Sequence, residues 1–354
     1  MAYATARLAA RRDPAPPLPA PLPRLSILVA ARDEEATLPR CLAALRALDY
    51  PAGLLEILVG DDASRDRTRA VAEAALAGFA GRWEVITITE NLGLARGKAN
   101  VLAQLAHRAT ADCWLLTDAD ITVPPTWART LLAAAPPGGG MVMGLTVVQG
   151  PGWLARLQGL DWLVSLALLQ VSTEAGRPLT AMGNNMLITR AAYEATGGYE
   201  ALPFSIVEDF AIFQAVRARG INGFAQLFGP ASRAASGPAA SWGALLRQRR
   251  RWLRGVAVLP GWAKAGLVFF SGYWAALAGL ALLGHPGWAL GAWALKVLAT
   301  YALAVVASRR AGLFRPALGT VVVLEIYTFV LTTHLTLSRV FGSRVVEWKG
   351  RRYE

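Results

Sequence analysis

Two groups of carboxylates in this chain have the types and spacing of residues that handle a cation and a proton. The first is Asp118-Ala119-Asp120, which follows an apolar run and precedes a turn containing Pro124 and Pro125. Asp118 and Asp120 could bind a hard divalent cation such as Mg²⁺ or Mn²⁺, which usually shares its other positions with substrate phosphates. The alternative is a solvated turn in which these aspartates only cap the backbone.

The second group is Glu208-Asp209, at the start of a helix predicted over 210–219. A carboxylate at a helix N-terminus is often there only because it interacts favourably with the helix dipole. Two adjacent carboxylates can also raise the pKa of one of them and so provide a general base. The spacing alone leaves both interpretations open.

Other polar residues could complete a binding site. Asp62 follows a second apolar run, where it could accept hydrogen bonds from a planar base or a ribose. Gln248, Arg251 and Trp252 have the i, i+3, i+4 spacing of one helical face. They fit an interfacial helix with arginine on lipid phosphate and tryptophan at the headgroup level. They also fit a site in which Arg251 holds a diphosphate and Trp252 lines the acceptor position.

The elements that must position these residues alternate between strand-like and helix-like patterns. Strands are predicted at 25–30, 55–60, 83–88 and 113–117, and helices at 37–47, 67–76 and 98–107. In an open α/β sheet, ligands bind beyond the C-terminal ends of the strands. Asp62 and the Asp118–Asp120 pair are at such ends, so the sequence predicts an α/β sheet with its ligand site there.

Hydrophobic residues make up 54% of the 354-residue chain, yet its formal net charge is +12. The apolar excess lies mostly after Val256, in three stretches near the length of a membrane span: Gly266–Leu283, Trp288–Ala307 and Ala317–Val340. Arginines cluster beside these stretches, which favours a membrane surface over nucleic acid. Lys296 and Glu325 lie within two of the stretches, where they could pair with each other or Lys296 could reach the headgroups.

Two further features are less specific. Cys41 and Cys113 lie apart in apolar patterns and are expected to be small buried side chains, and the histidines form no cluster that would predict a metal site. Residues 153–171 predict one long apolar helix, interrupted by Arg156, Gln158 and Asp161. This helix could pack on the sheet or lie at the membrane interface and line an acceptor entry.

Taken in order, several segments resemble the family 2 glycosyltransferases with a GT-A fold: ARDEEATL, GDDASRDRT, NLGLARGKAN, TDAD, GNNMLITRAAYEATGGYE, VEDF and QRRRW. The resemblance covers Leu25 to Trp252. The ending WKGRRY is similar to that of ceramide glucosyltransferase and of carotenoid and hopanoid glycosyltransferases, which glycosylate lipids. The resemblance implies a GT-A-type Rossmann-like nucleotide-sugar-binding domain followed by a C-terminal transmembrane helical region.

The resemblance also implies roles for individual residues. Asp209, with Glu208 beside it, would supply the catalytic base of an inverting transfer. Asp118 and Asp120 would hold Mg²⁺ or Mn²⁺ and the donor diphosphate, with Asp120 the more direct metal ligand. The remaining donor-binding residues would be Glu34, Asp62, Lys98, Gln248, Arg251 and Trp252. The implied partners are a nucleotide-sugar donor, most simply a UDP-sugar, a lipid acceptor and the membrane, and not nucleic acid.

The expected organisation is a flexible lead-in at 1–24, a GT-A domain at 25–240, an amphipathic interfacial segment at 241–262, about three transmembrane helices at 263–341 and a basic tail at 342–354. The catalytic domain is expected on the cytoplasmic side of the inner membrane. Three full spans would then place the basic tail outside, against the positive-inside tendency. One stretch could therefore be re-entrant or interfacial, and 261–271 is the first choice.

The sequence also bears on three other functions. A processive polysaccharide synthase usually has spans before its catalytic domain and more after it, so this chain favours addition of a single sugar to a lipid. A non-catalytic scaffold on the same fold would lack the metal or base carboxylates, which this chain retains. A dinucleotide-dependent oxidoreductase needs Gly-x-Gly-x-x-Gly after the first strand, where this chain has Ala31-Arg32-Asp33-Glu34-Glu35. The oxidoreductase is therefore excluded.

Overall fold

The computed structural model describes residues 1–14, 16–256, 258–341, 346–348 and 351–353. The chain divides into two compact units. The sheet unit contains residues 12–147 and 172–237, and the helical unit contains residues 1–11, 148–171 and 238–354.

The sheet unit is built on strands separated by helices. Its strands are β1 (Leu25–Ala31), β2 (Leu55–Asp61), β3 (Arg82–Thr87), β4 (Cys113–Asp118), β5 (Met141–Met143), β6 (Thr146–Val148), β7 (Asn185–Thr189), β8 (Phe224–Gln226) and β9 (Ala234–Ser236). Within the described residues, seven of them form one sheet in the order β3-β2-β1-β4-β7-β5-β8. Strands β1 to β4 run parallel, whereas β7 is antiparallel to both β4 and β5.

Helices cover the sheet and connect its parallel strands. The larger helices of this unit are α2 (Leu38–Arg46), α3 (Thr68–Leu76), α4 (Gly97–Arg108), α5 (Trp127–Ala133) and α9 (Glu208–Ala218), with the shorter α7 (Arg190–Glu194) and α8 (Gly198–Ala201) before α9. The predicted parallel βαβαβαβ order is confirmed, and its strand and helix bounds agree to within one residue. The agreement arises because β1 and β2 are almost continuous apolar runs, as expected of strands buried on both faces.

The helical unit contains α1 (Ala2–Ala10), most of α6 (Trp153–Glu174), α10 (Trp242–Val256), α11 (Gly261–Leu282), α12 (Pro286–Arg310) and α13 (Leu318–Phe341), followed by a hairpin of β10 (Val346–Trp348) and β11 (Arg351–Tyr353). Among the described residues, α11, α12 and α13 are the three helices long and apolar enough to cross a membrane. The predicted C-terminal region of about three apolar helices is therefore confirmed. The segment 261–271 forms a regular part of α11.

The helical unit contains one contact that was expected and one helix that was not. The expected pair between Lys296 and Glu325 is confirmed, and Thr300 Oγ1 also donates a hydrogen bond to Glu325 Oε1 at 2.6 Å. Part of the lead-in at 1–24, expected to be flexible, instead forms α1, because its alanines and Leu8 favour a helix with an apolar side. Leu8 is fully buried, and its carbonyl accepts a hydrogen bond from Arg310 Nη1 at 3.2 Å.

Candidate active site

The candidate site is formed at the C-terminal ends of the parallel strands in the sheet unit. Ala31 pairs with Asp61 across β1 and β2, and Ala30 pairs with Asp118 across β1 and β4. The three strands therefore end at nearly the same level. The two loops that follow β2 and β4 carry Asp62 and Asp120 at this edge, as the sequence predicted.

Asp62 is held by the loop that follows β1. The Arg32 guanidinium donates a hydrogen bond to the Asp62 carbonyl, and Nη1 lies 3.7 Å from the Asp62 carboxylate. Asp33 N–H donates to Ser64 Oγ at 3.0 Å, and Arg65 N–H donates to Asp33 Oδ1 at 2.8 Å. These bonds fix two loops in which Asp33 and Ala63 have the left-handed φ values of 51° and 50°.

Lys98, at the start of α4, connects the two carboxylate groups. Its Nζ lies 2.5 Å from Asp118 Oδ1 and 2.7 Å from Glu208 Oε1. Burial alone would lower the pKa of this amine, but the charges of Asp118, Glu208 and Asp209 outweigh burial and raise it. Lys98 is therefore a fixed positive charge between the aspartate at the end of β4 and the start of α9.

Asp209 is oriented by backbone amides. Gly183 N–H donates to Asp209 Oδ2 at 2.9 Å, and Phe210 N–H donates to Oδ1 at 2.8 Å. Burial and the neighbouring charge of Glu208 raise the pKa of Asp209 to about 6, although Lys98 and the two amides act in the opposite direction. A carboxylate with this pKa is ionised at neutral pH and is basic enough to accept a proton.

The carboxylates at the end of β4 have the chemistry of a site for a divalent cation. Burial and the charges of Asp118 and Glu34 raise the pKa of Asp120 to about 6, so these carboxylates repel one another at neutral pH. A divalent cation would remove that repulsion, and carboxylate oxygens are the donors that Mg²⁺ and Mn²⁺ prefer. Within the described residues no group of three or more His, Cys, Asp or Glu side chains could enclose an ion. The residues fit a cation that takes its remaining ligands from substrate phosphate and water.

The predicted site residues are divided between the two units. Glu34, Asp62, Lys98, Asp118, Asp120, Glu208 and Asp209 all belong to the sheet unit, whereas Gln248, Arg251 and Trp252 belong to the helical unit. The last three are on α10, as their spacing predicted. In the helical unit, the Trp252 ring lies 4.8 Å from the ring of Trp162 on α6.

Gly183 and Arg32 are positioning residues that the sequence reasoning missed. A Cβ added to Gly183 would lie 3.2 Å from Asp209 Cβ, which is tighter than an ordinary contact, so glycine allows the loop to approach the carboxylate. The signal that could have identified Gly183 is the segment GNNMLIT, which begins at this glycine. Arg32 follows β1 directly, and its position beside Asp61-Asp62 could have been inferred from the parallel pairing of the two strands.

A family model described as Glycosyl transferase family 21 matches residues 1–354 of the chain. The chain belongs to glycosyl transferase family 21. This membership confirms that the protein is a glycosyltransferase by family. It also confirms the resemblance to family 2-type glycosyltransferases.

Two curated relatives and one solved structure illustrate the similarity. The chain is 26% identical over 182 residues to the beta-monoglucosyldiacylglycerol synthase of Synechocystis sp., and this match covers 51% of this chain and 37% of that protein. It is 28% identical over 261 residues to an N-acetylglucosaminyltransferase of Rhizobium leguminosarum bv. viciae, and this match covers 68% of this chain and 59% of that protein. The chain thus spans less than two thirds of the length of either relative.

The solved structure is the mannosyltransferase PcManGT from Pyrobaculum calidifontis, in complex with GDP-Man and Mn²⁺. It has a TM-score of 0.60 and 20% identity, and the match covers 96% of this chain and 92% of that one. The similarity confirms the predicted fold, a Rossmann-like GT-A domain followed by apolar C-terminal helices.

Proposed function

We propose that this family 21 member is an inverting, metal-dependent glycosyltransferase that moves a sugar from a UDP-sugar onto a lipid hydroxyl at the cytoplasmic face of the inner membrane. The observation that carries the proposal is the cluster formed by Lys98 with Asp118, Glu208 and Asp209 at the edge of the sheet. It combines a fixed cation, a carboxylate for a metal and a carboxylate with the pKa of a base.

The donor would bind across the ends of β2 and β4. Asp62, held by Arg32, would accept hydrogen bonds from the base or ribose. Asp118 and Asp120 would hold Mg²⁺ or Mn²⁺, which would neutralise charge on the donor diphosphate. Lys98 would add a positive charge at the same diphosphate, because its ammonium already lies beside Asp118.

Asp209 would act on the acceptor. Its carboxylate would take the proton of the acceptor hydroxyl as that oxygen forms a bond to the anomeric carbon of the sugar. The bond from the anomeric carbon to the diphosphate oxygen breaks in the same step, and the nucleoside diphosphate leaves with that electron pair. A single displacement of this kind inverts the anomeric configuration and needs no covalent enzyme intermediate.

The acceptor assignment is supported by the membrane-type helices and by the relatives. Three helices in the described chain are long and apolar enough to enter a bilayer, and Arg309 and Arg310 end the second of them. One similar protein is named beta-monoglucosyldiacylglycerol synthase. A membrane-embedded hydroxyl lipid is therefore the simplest acceptor, and Trp252 is proposed to line its site.

The test is a transfer assay on purified protein in detergent with Mn²⁺ or Mg²⁺. Radiolabelled UDP-glucose, UDP-N-acetylglucosamine and GDP-mannose would each be offered with dioleoylglycerol, ceramide and a host lipid extract. The expected product is one discrete labelled lipid of inverted configuration, lost on addition of EDTA. A labelled polymer would instead indicate a processive synthase, and failure with every donor would contradict the catalytic proposal.

A further inference from the structure

One face of helix α6 contacts both the segment just before α10 and the middle of α10 in the helical unit. The Gln158 amide makes two bonds to the Ala239 backbone, donating through Nε2 to the carbonyl at 3.1 Å and accepting from the N–H at 2.9 Å. One turn later, Asp161 Oδ2 accepts a hydrogen bond from Arg249 Nη2 at 2.7 Å. Gln158, Asp161 and Trp162 have the i, i+3, i+4 spacing of one helical face, so these contacts come from a single side of α6.

The same face contacts the ring of Trp252. The Trp162 and Trp252 rings lie 4.8 Å apart at an angle of 36°. The Arg249 guanidinium carbon lies 4.6 Å from the Trp252 ring centre and 5.4 Å from that of Trp162. The side chains of Arg249 and Asp161 are only 14% and 17% exposed, so solvent screens their attraction less than at the surface.

The position of Arg249 is set by Asp161. Arg249 Nε is buried and has no hydrogen-bond partner among the described residues, so Nη2 carries the directional bond. Removal of the Asp161 charge would remove the ion pair that fixes the guanidinium beside the rings and would leave Tyr327 as its remaining polar neighbour. The adjacent Arg250 is exposed, so it is available to water and lipid headgroups in a way that Arg249 is not.

We propose that Asp161 and Arg249 are positioning residues that orient the Trp252 indole and so set the affinity for the lipid acceptor. This inference rests on the proposed function, in which Trp252 lines the acceptor site. In this role both residues act through the Trp252 ring, which contacts the Trp162 ring of α6 and the Arg249 guanidinium of α10.

The first test measures the orientation of Trp252 without any requirement for activity. The full-length protein would be labelled with 5-fluorotryptophan, and the Trp252 resonance assigned by its loss in Trp252→Phe. We expect Asp161→Asn and Arg249→Lys to shift or broaden this resonance, and Arg250→Gln to leave it unchanged. An unmoved Trp252 resonance in both Asp161→Asn and Arg249→Lys would overturn the proposal.

The second test measures transfer kinetics with dioleoylglycerol in mixed micelles and UDP-glucose. Asp161→Asn is expected to raise the acceptor KM about tenfold, within the range of coupling energies between contacting residues, while the donor KM and kcat stay near those of the wild type. Asp161→Glu should recover most of the acceptor affinity, and Arg250→Gln should resemble the wild type. Equal effects of Asp161→Asn and Arg250→Gln on the acceptor KM would contradict the inference.

A double-mutant comparison separates positioning from general destabilisation. If Asp161 acts through Trp252, Asp161→Asn in a Trp252→Phe background should change the acceptor KM less than about twofold further. If the two substitutions raise the acceptor KM by factors that multiply fully, Asp161 acts independently of Trp252, which is contrary to the proposal. If the wild type transfers no sugar to dioleoylglycerol, the proposed function fails for this acceptor, and the fluorine resonance still decides whether Asp161 positions Trp252.

Discussion

Asp209 is the residue on which transfer is expected to depend most. Asp209→Asn keeps the size of the side chain and can still accept an amide hydrogen bond, but it cannot take the acceptor proton. We expect kcat to fall by about 10²- to 10⁴-fold, the usual contribution of a general base. Donor binding should remain largely intact, because the proposed donor ligands are on other loops.

Donor binding by Asp209→Asn would be measured by calorimetric titration with UDP-glucose and Mn²⁺, and transfer by product formation. Asp112→Asn is a matched control, since that side chain is 97% exposed and is away from the site. Transfer by Asp209→Asn at the wild-type rate would remove Asp209 from the mechanism.

The pKa of Asp209 also predicts the acid side of the pH profile. A general base works only when it is ionised, so kcat/KM should be constant at high pH and fall as pH decreases through about 6, the raised pKa of Asp209. An unperturbed aspartate would place the same fall near its ordinary value of 3.8. The measurement is kcat/KM between pH 4.5 and 8.5, and a kcat/KM that stays constant down to about pH 5 would contradict the assignment.

At the scale of helices, the pair between Lys296 and Glu325 is expected to stabilise the packing of α12 against α13. The Lys296 ammonium also lies 5.1 to 5.4 Å from the ring centres of Trp274, Phe270 and Tyr273 on α11. Removal of one partner of a buried ion pair leaves an uncompensated charge and costs about 3–5 kcal/mol, whereas replacement of both is often close to neutral.

Lys296→Met and Glu325→Met should therefore each lower the melting temperature in detergent, and the two substitutions combined should recover most of the loss. Lys264→Met on α11 is the control, because Lys264 is exposed. Additive losses in the double variant would show that the two side chains stabilise the protein separately.

The parallel half of the sheet could be predicted from sequence because its signals are local. Strands β1, β2 and β4 are buried apolar runs, and each is followed by a helix with regular apolar spacing. The antiparallel half could not be predicted in this way. β5 and β8 have only three residues each, too few for a periodic pattern, and their place is set by pairing with β7 and with each other.

The candidate site could likewise be predicted from sequence only in part. Asp62, Asp118 and Asp120 were predicted because they lie at strand ends. Lys98, Glu208 and Asp209 were predicted because they belong to segments that resemble the family. The amide of Gly183 and the face of α6 that carries Asp161 were not, since their roles arise from contacts between residues far apart in the chain. The helical part of the lead-in was missed because nine residues of α1 would be marginal alone, and their contact with α12 stabilises them.

At the scale of the whole molecule, the side of the membrane on which the tail lies follows from contacts within the helical unit. Helix α10 carries Arg247, Arg249, Arg250, Arg251 and Arg254, so it belongs at an aqueous interface and not in the hydrocarbon core. Strand β10 in the tail contacts α10, and so does α13, through Trp242 and Tyr327 rings 5.8 Å apart. A tail that contacts α10 lies on the same side as α10, which requires an even number of crossings between them.

We therefore expect two of the three apolar helices, α11 and α12, to cross the membrane as a hairpin. The tail then returns to the side of α10, in agreement with the positive-inside tendency of the tail's basic residues. Green fluorescent protein fused after Glu354 should fluoresce in cells, and alkaline phosphatase fused at the same point should be inactive. The matched control is a fusion after Gly284, between α11 and α12, where alkaline phosphatase should be active. Active phosphatase at both points would mean that the tail lies outside and that the contact between β10 and α10 does not form in the membrane.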